Sequence, residues 1–102
     1  MNFIQQHINS VHDLCKKHKV KELYAFGSVL DQTKFNDESD VDLIVKFNDD
    51  VLVEDYADLY FDLADELELI FTRRVDLMIN KHIPNKYLRE NIEESKKIIY
   101  EA

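Results

Sequence analysis

The chain is poor in the residues that interrupt or cross-link secondary structure: 102 residues include one glycine, one proline, one cysteine and no tryptophan. A single cysteine excludes an internal disulfide, and we therefore expect a cytoplasmic protein. With so little glycine and proline, we expect no disordered or low-complexity segment. With 45% hydrophobic and 33% charged residues, the composition predicts one globular domain across residues 1–102.

Positive charge is also scarce, since 13 lysines and arginines stand against 21 aspartates and glutamates, a net charge of -8. Sequence-independent affinity for nucleic acids comes from basic side chains that neutralise phosphates, so we expect no direct nucleic-acid binding. No apolar run approaches the roughly 20 residues of a membrane span, and the N-terminus lacks a signal-peptide pattern. We expect no membrane association. The negative net charge fits better with a basic partner, or with a substrate whose negative charge is neutralised by a bound metal ion.

The single glycine ends a short apolar stretch, residues 23–26, whose composition is typical of a strand. Gly27 is required either for a positive φ or for the close approach of a backbone to a ligand. Ser28 follows and is a good helix N-cap, with Asp31 three residues later as in a capping box. This pattern predicts a short helix whose first N–H groups bind a phosphate.

After a spacer of eleven residues, 29–39, comes an alternating stretch, residues 40–47, which predicts a second strand. Its period of two places Asp40 and Asp42 on one face, together with Ile44 and Lys46. Neighbouring carboxylates repel each other and stay ionised at neutral pH only if a cation or several donors compensate them. The pair therefore predicts a divalent metal site.

A third strand, residues 73–79, repeats this alternation and carries Asp76 among apolar residues. An isolated buried carboxylate is costly, so Asp76 either pairs with an arginine or joins Asp40 and Asp42. The matching alternation favours the second alternative.

Helices and one further strand complete the predicted fold. We predict amphipathic helices over residues 4–19 and from residue 54 or 55 to about 69, and a final helix starting near Pro84. Residues 97–102 form either a last helical turn or, as we predict, an edge strand. The sum is an α/β (α+β) fold, a two-layer mixed sheet of three to four strands with helices on one face and the aspartates on the uncovered face.

One alternative metal site involves the first predicted helix, which carries His7, His12, Cys15 and His18. These residues do not share one helical face, and Cys15 falls on the buried stripe. We therefore favour ordinary core and surface roles over a zinc site.

The segments Phe26-Gly27-Ser28, Asp40-Val41-Asp42-Leu43 and Val75-Asp76-Leu77 resemble the minimal nucleotidyltransferases of the DNA polymerase β superfamily. The resemblance extends to residues 84–88 and 99–101 and implies a polymerase β palm-like nucleotidyltransferase fold. It implies that Gly27 and Ser28 bind a nucleoside triphosphate. It also implies that Asp40, Asp42 and Asp76 bind two Mg²⁺ ions and are catalytic, with Asp76 as the general base.

Members of this family commonly act as MntA-like antitoxins of HEPN-domain toxins, some by transferring AMP from ATP to a tyrosine of the toxin. The resemblance therefore implies a protein adenylyltransferase with a HEPN-domain protein as its partner. An alternative is a non-catalytic binding module that neutralises a partner by surface contact, and another is an α/β domain with incidental aspartates. The acceptor, the preferred nucleotide and any homo-oligomer are left open.

Two segments depart from the family pattern. Many members carry arginine and glycine shortly after the serine, where this chain has Leu30-Asp31-Gln32-Thr33. A triphosphate contact is then either missing or supplied by Arg73 or Arg74. Many members also have a glycine before the third strand, where this chain has Phe71-Thr72-Arg73.

Overall fold

The computed structural model describes residues 2–31, 33–36, 38–79, 86, 90 and 94–102. The elements follow in the order α1 (Asn2–Gln5), α2 (Ile8–Lys17), β1 (Val20–Phe26), a 3₁₀ turn (Gly27–Leu30), β2 (Val41–Phe47), a second 3₁₀ turn (Val53–Asp55), α3 (Tyr56–Phe71), β3 (Val75–Ile79) and β4 (Lys97–Glu101). The predicted final helix near residues 84–88 lies outside the described residues.

The four strands form one mixed sheet in the order β3-β2-β1-β4. Strand β1 is antiparallel to β2 and to β4, whereas β2 and β3 are parallel. Parallel neighbours need a long crossover connection, and α3 lies within the segment that joins β2 to β3. The predicted mixed sheet is confirmed. The C-terminal segment of the chain forms the edge strand β4, as predicted.

Helices α2 and α3 pack against one face of the sheet and form the main core with it. They contribute Val11, Leu14, Cys15, Leu63, Leu67 and Phe71 to a cluster that also contains the inward residues of β1, β2 and β3. The first predicted helix is divided into α1 and α2. Helix α3 begins at Tyr56 and ends before Thr72, which adopts a left-handed conformation with φ 54°. Within the described part of the chain, no helix is long and apolar enough to cross a membrane.

The histidines and the cysteine of the first predicted helix have structural roles. His12 Nε2 lies 2.8 Å from the carbonyl oxygen of Ile99, and His18 Nδ1 lies 3.0 Å from that of Leu14. Cys15 is completely buried in the main core, and burial raises the pKa of its thiol to about 12. These contacts are those of ordinary core and surface residues.

The opposite face of the sheet is not simply open, which corrects one prediction. Ile44 shares this face with Asp42, as the alternation predicts, but it is completely buried. It forms a second, smaller apolar cluster with Phe26, Tyr24 and Met78. This face therefore has a covered apolar part, and the carboxylates lie at one end of it.

Candidate active site

Parallel pairing of β2 and β3 brings two of the predicted aspartates side by side. Asp42 and Asp76 are register partners, each the second residue of its strand. A hydrogen bond of 3.0 Å from the Val41 amide to the Arg74 carbonyl joins the two segments where the ladder begins. Adjacent strands are about 4.8 Å apart, so the two side chains project from neighbouring positions on the same face.

The Asp42 carboxyl is affected by its burial and by the charges of the other two aspartates. Burial, followed by the charges of Asp76 and then Asp40, raises the pKa of the Asp42 carboxyl from 3.8 to about 6. Among the described residues, no group donates a hydrogen bond to this carboxylate. Asp42 is therefore a partly buried charge beside two like charges, and a bound cation would relieve the repulsion.

Gly27 lies against this carboxylate. Its preceding residue, Phe26, pairs with Asp42 across β1 and β2. The glycine has φ +74°, and a Cβ built on it would lie only 2.6 Å from Oδ2 of Asp42. The predicted positive φ is confirmed. The close approach is also real, but the group that approaches is the Asp42 side chain.

The predicted capping box after Gly27 is wrong. The Gly27–Leu30 turn has no side-chain cap, and Asp31 lies beyond its end, where its N–H donates to the Ser28 carbonyl. Oδ1 of Asp31 instead accepts hydrogen bonds from the Thr33 amide (3.0 Å) and hydroxyl (2.6 Å), which lower the pKa of the Asp31 carboxyl. A single 3₁₀ turn is too short for a reciprocal cap, so Asp31 forms a local turn with Thr33.

A cavity of about 420 Å³ opens beside the glycine-serine turn. Among the described residues, it is lined by Gly27, Ser28, Leu30, Asp31, Lys34, Ser95 and Lys97. Sequence reasoning missed Lys34, Ser95 and Lys97, because no local pattern connects the last two with Gly27. The pairing of Lys97 with Ala25 across β1 and β4 brings them together.

Arg73 has a different role from the predicted triphosphate contact. Its guanidinium carbon lies 4.7 Å from the ring centroid of Phe3 and 4.3 Å from that of Phe35. The same group donates to the carbonyls of Asn36 and Ser39, at 2.5 and 3.1 Å. Arg73 therefore holds the loop that leads into Asp40, and a contact of Arg73 with a triphosphate stays one of the alternatives. Arg74 is exposed, and its contact with a triphosphate stays a prediction.

The donor chemistry of the three aspartates fits magnesium, which prefers carboxylate oxygens and usually keeps several water ligands. Their side chains do not form a closed ligand set: over the described residues, no three His, Cys, Asp or Glu side chains are arranged to hold a metal ion. Asp40 and Asp76 are both exposed, so their side chains are free of the packing that would prevent them from turning toward a cation.

Comparison with known proteins places this geometry in a family. Residues 8–99 match the family described as "Nucleotidyltransferase domain". The chain is 38% identical over 80 residues to the "Putative protein adenylyltransferase MJ1379" of Methanocaldococcus jannaschii, covering 76% of this chain and 75% of that protein.

Two solved structures share the fold. One is a toxin-antitoxin structure with AMP-PNP (TM-score 0.69, 22% identity, 93% of this chain and 73% of that chain). The other is a complex of a tri-AMPylated Shewanella oneidensis HEPN toxin with an MNT antitoxin (TM-score 0.63, 20% identity, 96% and 72%). The predicted fold and the family resemblance are confirmed, and the chain belongs to the nucleotidyltransferase domain family.

Proposed function

We propose that the protein transfers AMP from ATP to a hydroxyl group of a partner protein in the presence of magnesium. The observation that carries this proposal is the contact of Gly27 with the Asp42 carboxylate, which lies beside Asp76 and has a raised pKa. Two independent likenesses support the choice of reaction. A relative carries the name "Putative protein adenylyltransferase", and a toxin-antitoxin structure that shares the fold contains AMP-PNP.

In this reaction the acceptor oxygen forms a bond to the α-phosphorus, the bond from that phosphorus to the bridging oxygen breaks, and pyrophosphate leaves. The hydroxyl proton passes to a base, and Asp76, exposed at the start of β3, is the group we assign to accept it. Gly27 leaves room beside Asp42, and Ser28 would orient the phosphates. Two Mg²⁺ ions held by Asp40, Asp42 and Asp76 would lower the pKa of the attacking hydroxyl and neutralise the leaving pyrophosphate.

The acceptor hydroxyl would arrive on a second protein. A HEPN-domain toxin is the partner we propose, with this protein as its antitoxin. The complex of an AMPylated HEPN toxin with an MNT antitoxin, which has the same fold, supports this choice. We place the reaction in the cytoplasm, as the single cysteine predicts.

Intact-mass spectrometry of the partner tests the proposal. A HEPN-domain toxin, purified as the proposed partner, is incubated with the protein, ATP and Mg²⁺, and the mass of the toxin should increase by one AMP residue per event. The D40N/D42N variant should fold and leave the mass unchanged. The matched control is D62N/D65N, which makes the same change of charge at two exposed positions of α3 and should transfer AMP like the wild type.

A second candidate is the binding module, which the open arrangement of the three carboxylates favours. In that case both the wild type and D40N/D42N would abolish the partner's toxic activity, with no change in its mass. That result would replace the transferase proposal.

A further inference from the structure

Two lysines line the cavity beside the glycine-serine turn, and the structure fixes the backbone of both. The Lys34 amide donates a 3.0 Å hydrogen bond to the Asp31 carbonyl, just after the Gly27–Leu30 turn. Lys97 is the first residue of β4 and pairs with Ala25, two residues before Gly27. The two cations therefore reach one cavity from segments far apart in the sequence.

The charges of these lysines are available to a ligand. Both side chains are exposed, and within the described part of the chain neither forms an ion pair. Among the described lining residues the one carboxylate is that of Asp31, which accepts two hydrogen bonds from Thr33 and is also attracted by the charge of Lys34. Two lysines against one aspartate give these described lining residues a net positive charge, in a protein of net charge -8.

Gly27 links the cavity to the aspartates. Gly27 lines it and also lies within contact distance of Oδ2 of Asp42. A nucleotide whose α-phosphate lies beside Asp42 would therefore extend its remaining phosphates into the cavity. These phosphates carry most of the negative charge of the nucleotide, so they need a source of positive charge in the cavity.

We propose that Lys34 and Lys97 bind the β- and γ-phosphates of the nucleoside triphosphate, the part that leaves as pyrophosphate. This inference rests on the proposed function and adds the residues that select a triphosphate. Charge-assisted hydrogen bonds to phosphate oxygens are among the stronger polar contacts in proteins. A lysine acts as a compact point charge, so the pair selects phosphate number and leaves the choice of base to other residues.

Titration calorimetry with Mg²⁺ tests the inference, using an ATP analogue with a methylene group between the α- and β-phosphates, and AMP as the second ligand. The K34Q/K97Q variant should bind the triphosphate analogue roughly 10- to 100-fold more weakly than the wild type. Its affinity for AMP should be unchanged, because AMP lacks the phosphates that the lysines bind. A general structural defect would weaken the binding of both ligands.

The matched control is K16Q/K19Q, which removes two exposed lysines near the end of α2 and should bind both ligands like the wild type. A gain-of-affinity variant provides a further check. D31N keeps an oxygen for the Thr33 hydrogen bonds but removes the negative charge from the cavity, and it should bind the triphosphate analogue several-fold more tightly.

Equal affinity of the wild type and K34Q/K97Q for the triphosphate analogue would overturn this inference and leave the proposed function intact. A parallel loss for AMP and the analogue would also overturn it, because it would mean that the lysines maintain the fold. If the wild type binds neither nucleotide, the proposed function itself is wrong.

Discussion

Replacing Asp42 with asparagine should make the nucleotide-free protein more stable at neutral pH. The change is nearly isosteric and removes the charge that burial and two neighbouring carboxylates disfavour. The rise of its pKa from 3.8 to about 6 corresponds to about 3 kcal/mol at about 1.4 kcal/mol per pH unit. Because Asp42 is only partly buried, solvent screening reduces the expected gain in the free energy of unfolding to about 1–2 kcal/mol.

The pH dependence has a defined direction. The folded state holds the Asp42 proton more tightly than the unfolded state, so this residue makes the free energy of unfolding fall as the pH rises from about 4 to about 6. D42N cannot lose this proton. The stability difference between D42N and the wild type should therefore be small at pH 4.5 and fully developed at pH 7.5.

Urea unfolding of both proteins, in EDTA and at the two pH values, measures this difference. A second series with Mg²⁺ and a non-hydrolysable triphosphate should stabilise the wild type, by ordinary linkage, and leave D42N unchanged. The electrostatic reasoning would be refuted if D42N were less stable than the wild type at pH 7.5. It would also be refuted if D42N and the wild type were equally stable at each of the two pH values. An equal ligand effect in D42N would remove Asp42 from the metal site.

Three further predictions concern the same region. G27A should reduce the free energy of unfolding in urea by about 1–3 kcal/mol, because alanine is strained at the positive φ of this position. The folded variant should also transfer AMP more slowly, because the new Cβ displaces the Asp42 carboxylate; unchanged transfer by the folded variant would contradict this. R73Q, which loses the contacts with Phe3 and Phe35, should lower the melting temperature, whereas its affinity for a triphosphate should change little because Arg73 does not line the cavity. Chelation of divalent ions should abolish AMP transfer and restoration of Mg²⁺ should recover it; turnover in EDTA would exclude the proposed metal dependence.

The aspartate face could be predicted from the sequence because a strand has a period of two, which places Asp42 and Asp76 on defined faces of β2 and β3. The register that makes them partners depends on how the β2-to-β3 connection packs, and no local pattern encodes this. Ile44 illustrates the same limit. The alternation assigns it to the aspartate face, but its complete burial depends on tertiary packing, which includes contacts with Phe26 and Met78.

The lining of the cavity beside Gly27 is harder to predict because its residues come from distant segments. Lys97 reaches Gly27 only through the pairing of β1 with β4, and an isolated lysine at a strand start has no distinctive pattern. Asp31 misled the prediction for a related reason. Its spacing from Ser28 matches a capping box, but the turn ends before a full helical turn can form, and Thr33 provides nearer donors.

The arrangement of charge around Gly27 predicts that the metal ion and the nucleotide affect each other's binding. Without a ligand, the partly buried Asp42 carboxylate lies beside the like charges of Asp76 and Asp40, so the free site stores unfavourable electrostatic energy. A cation on the aspartates would relieve the repulsion, and a triphosphate would neutralise the lysines on the other side of the glycine. Neither ligand alone compensates both charges. We therefore expect Mg²⁺ and the triphosphate to bind cooperatively, so that each tightens the binding of the other by the same factor. Titration of the triphosphate at several Mg²⁺ concentrations measures that factor, and affinities independent of Mg²⁺ would show that the two halves of the site act separately.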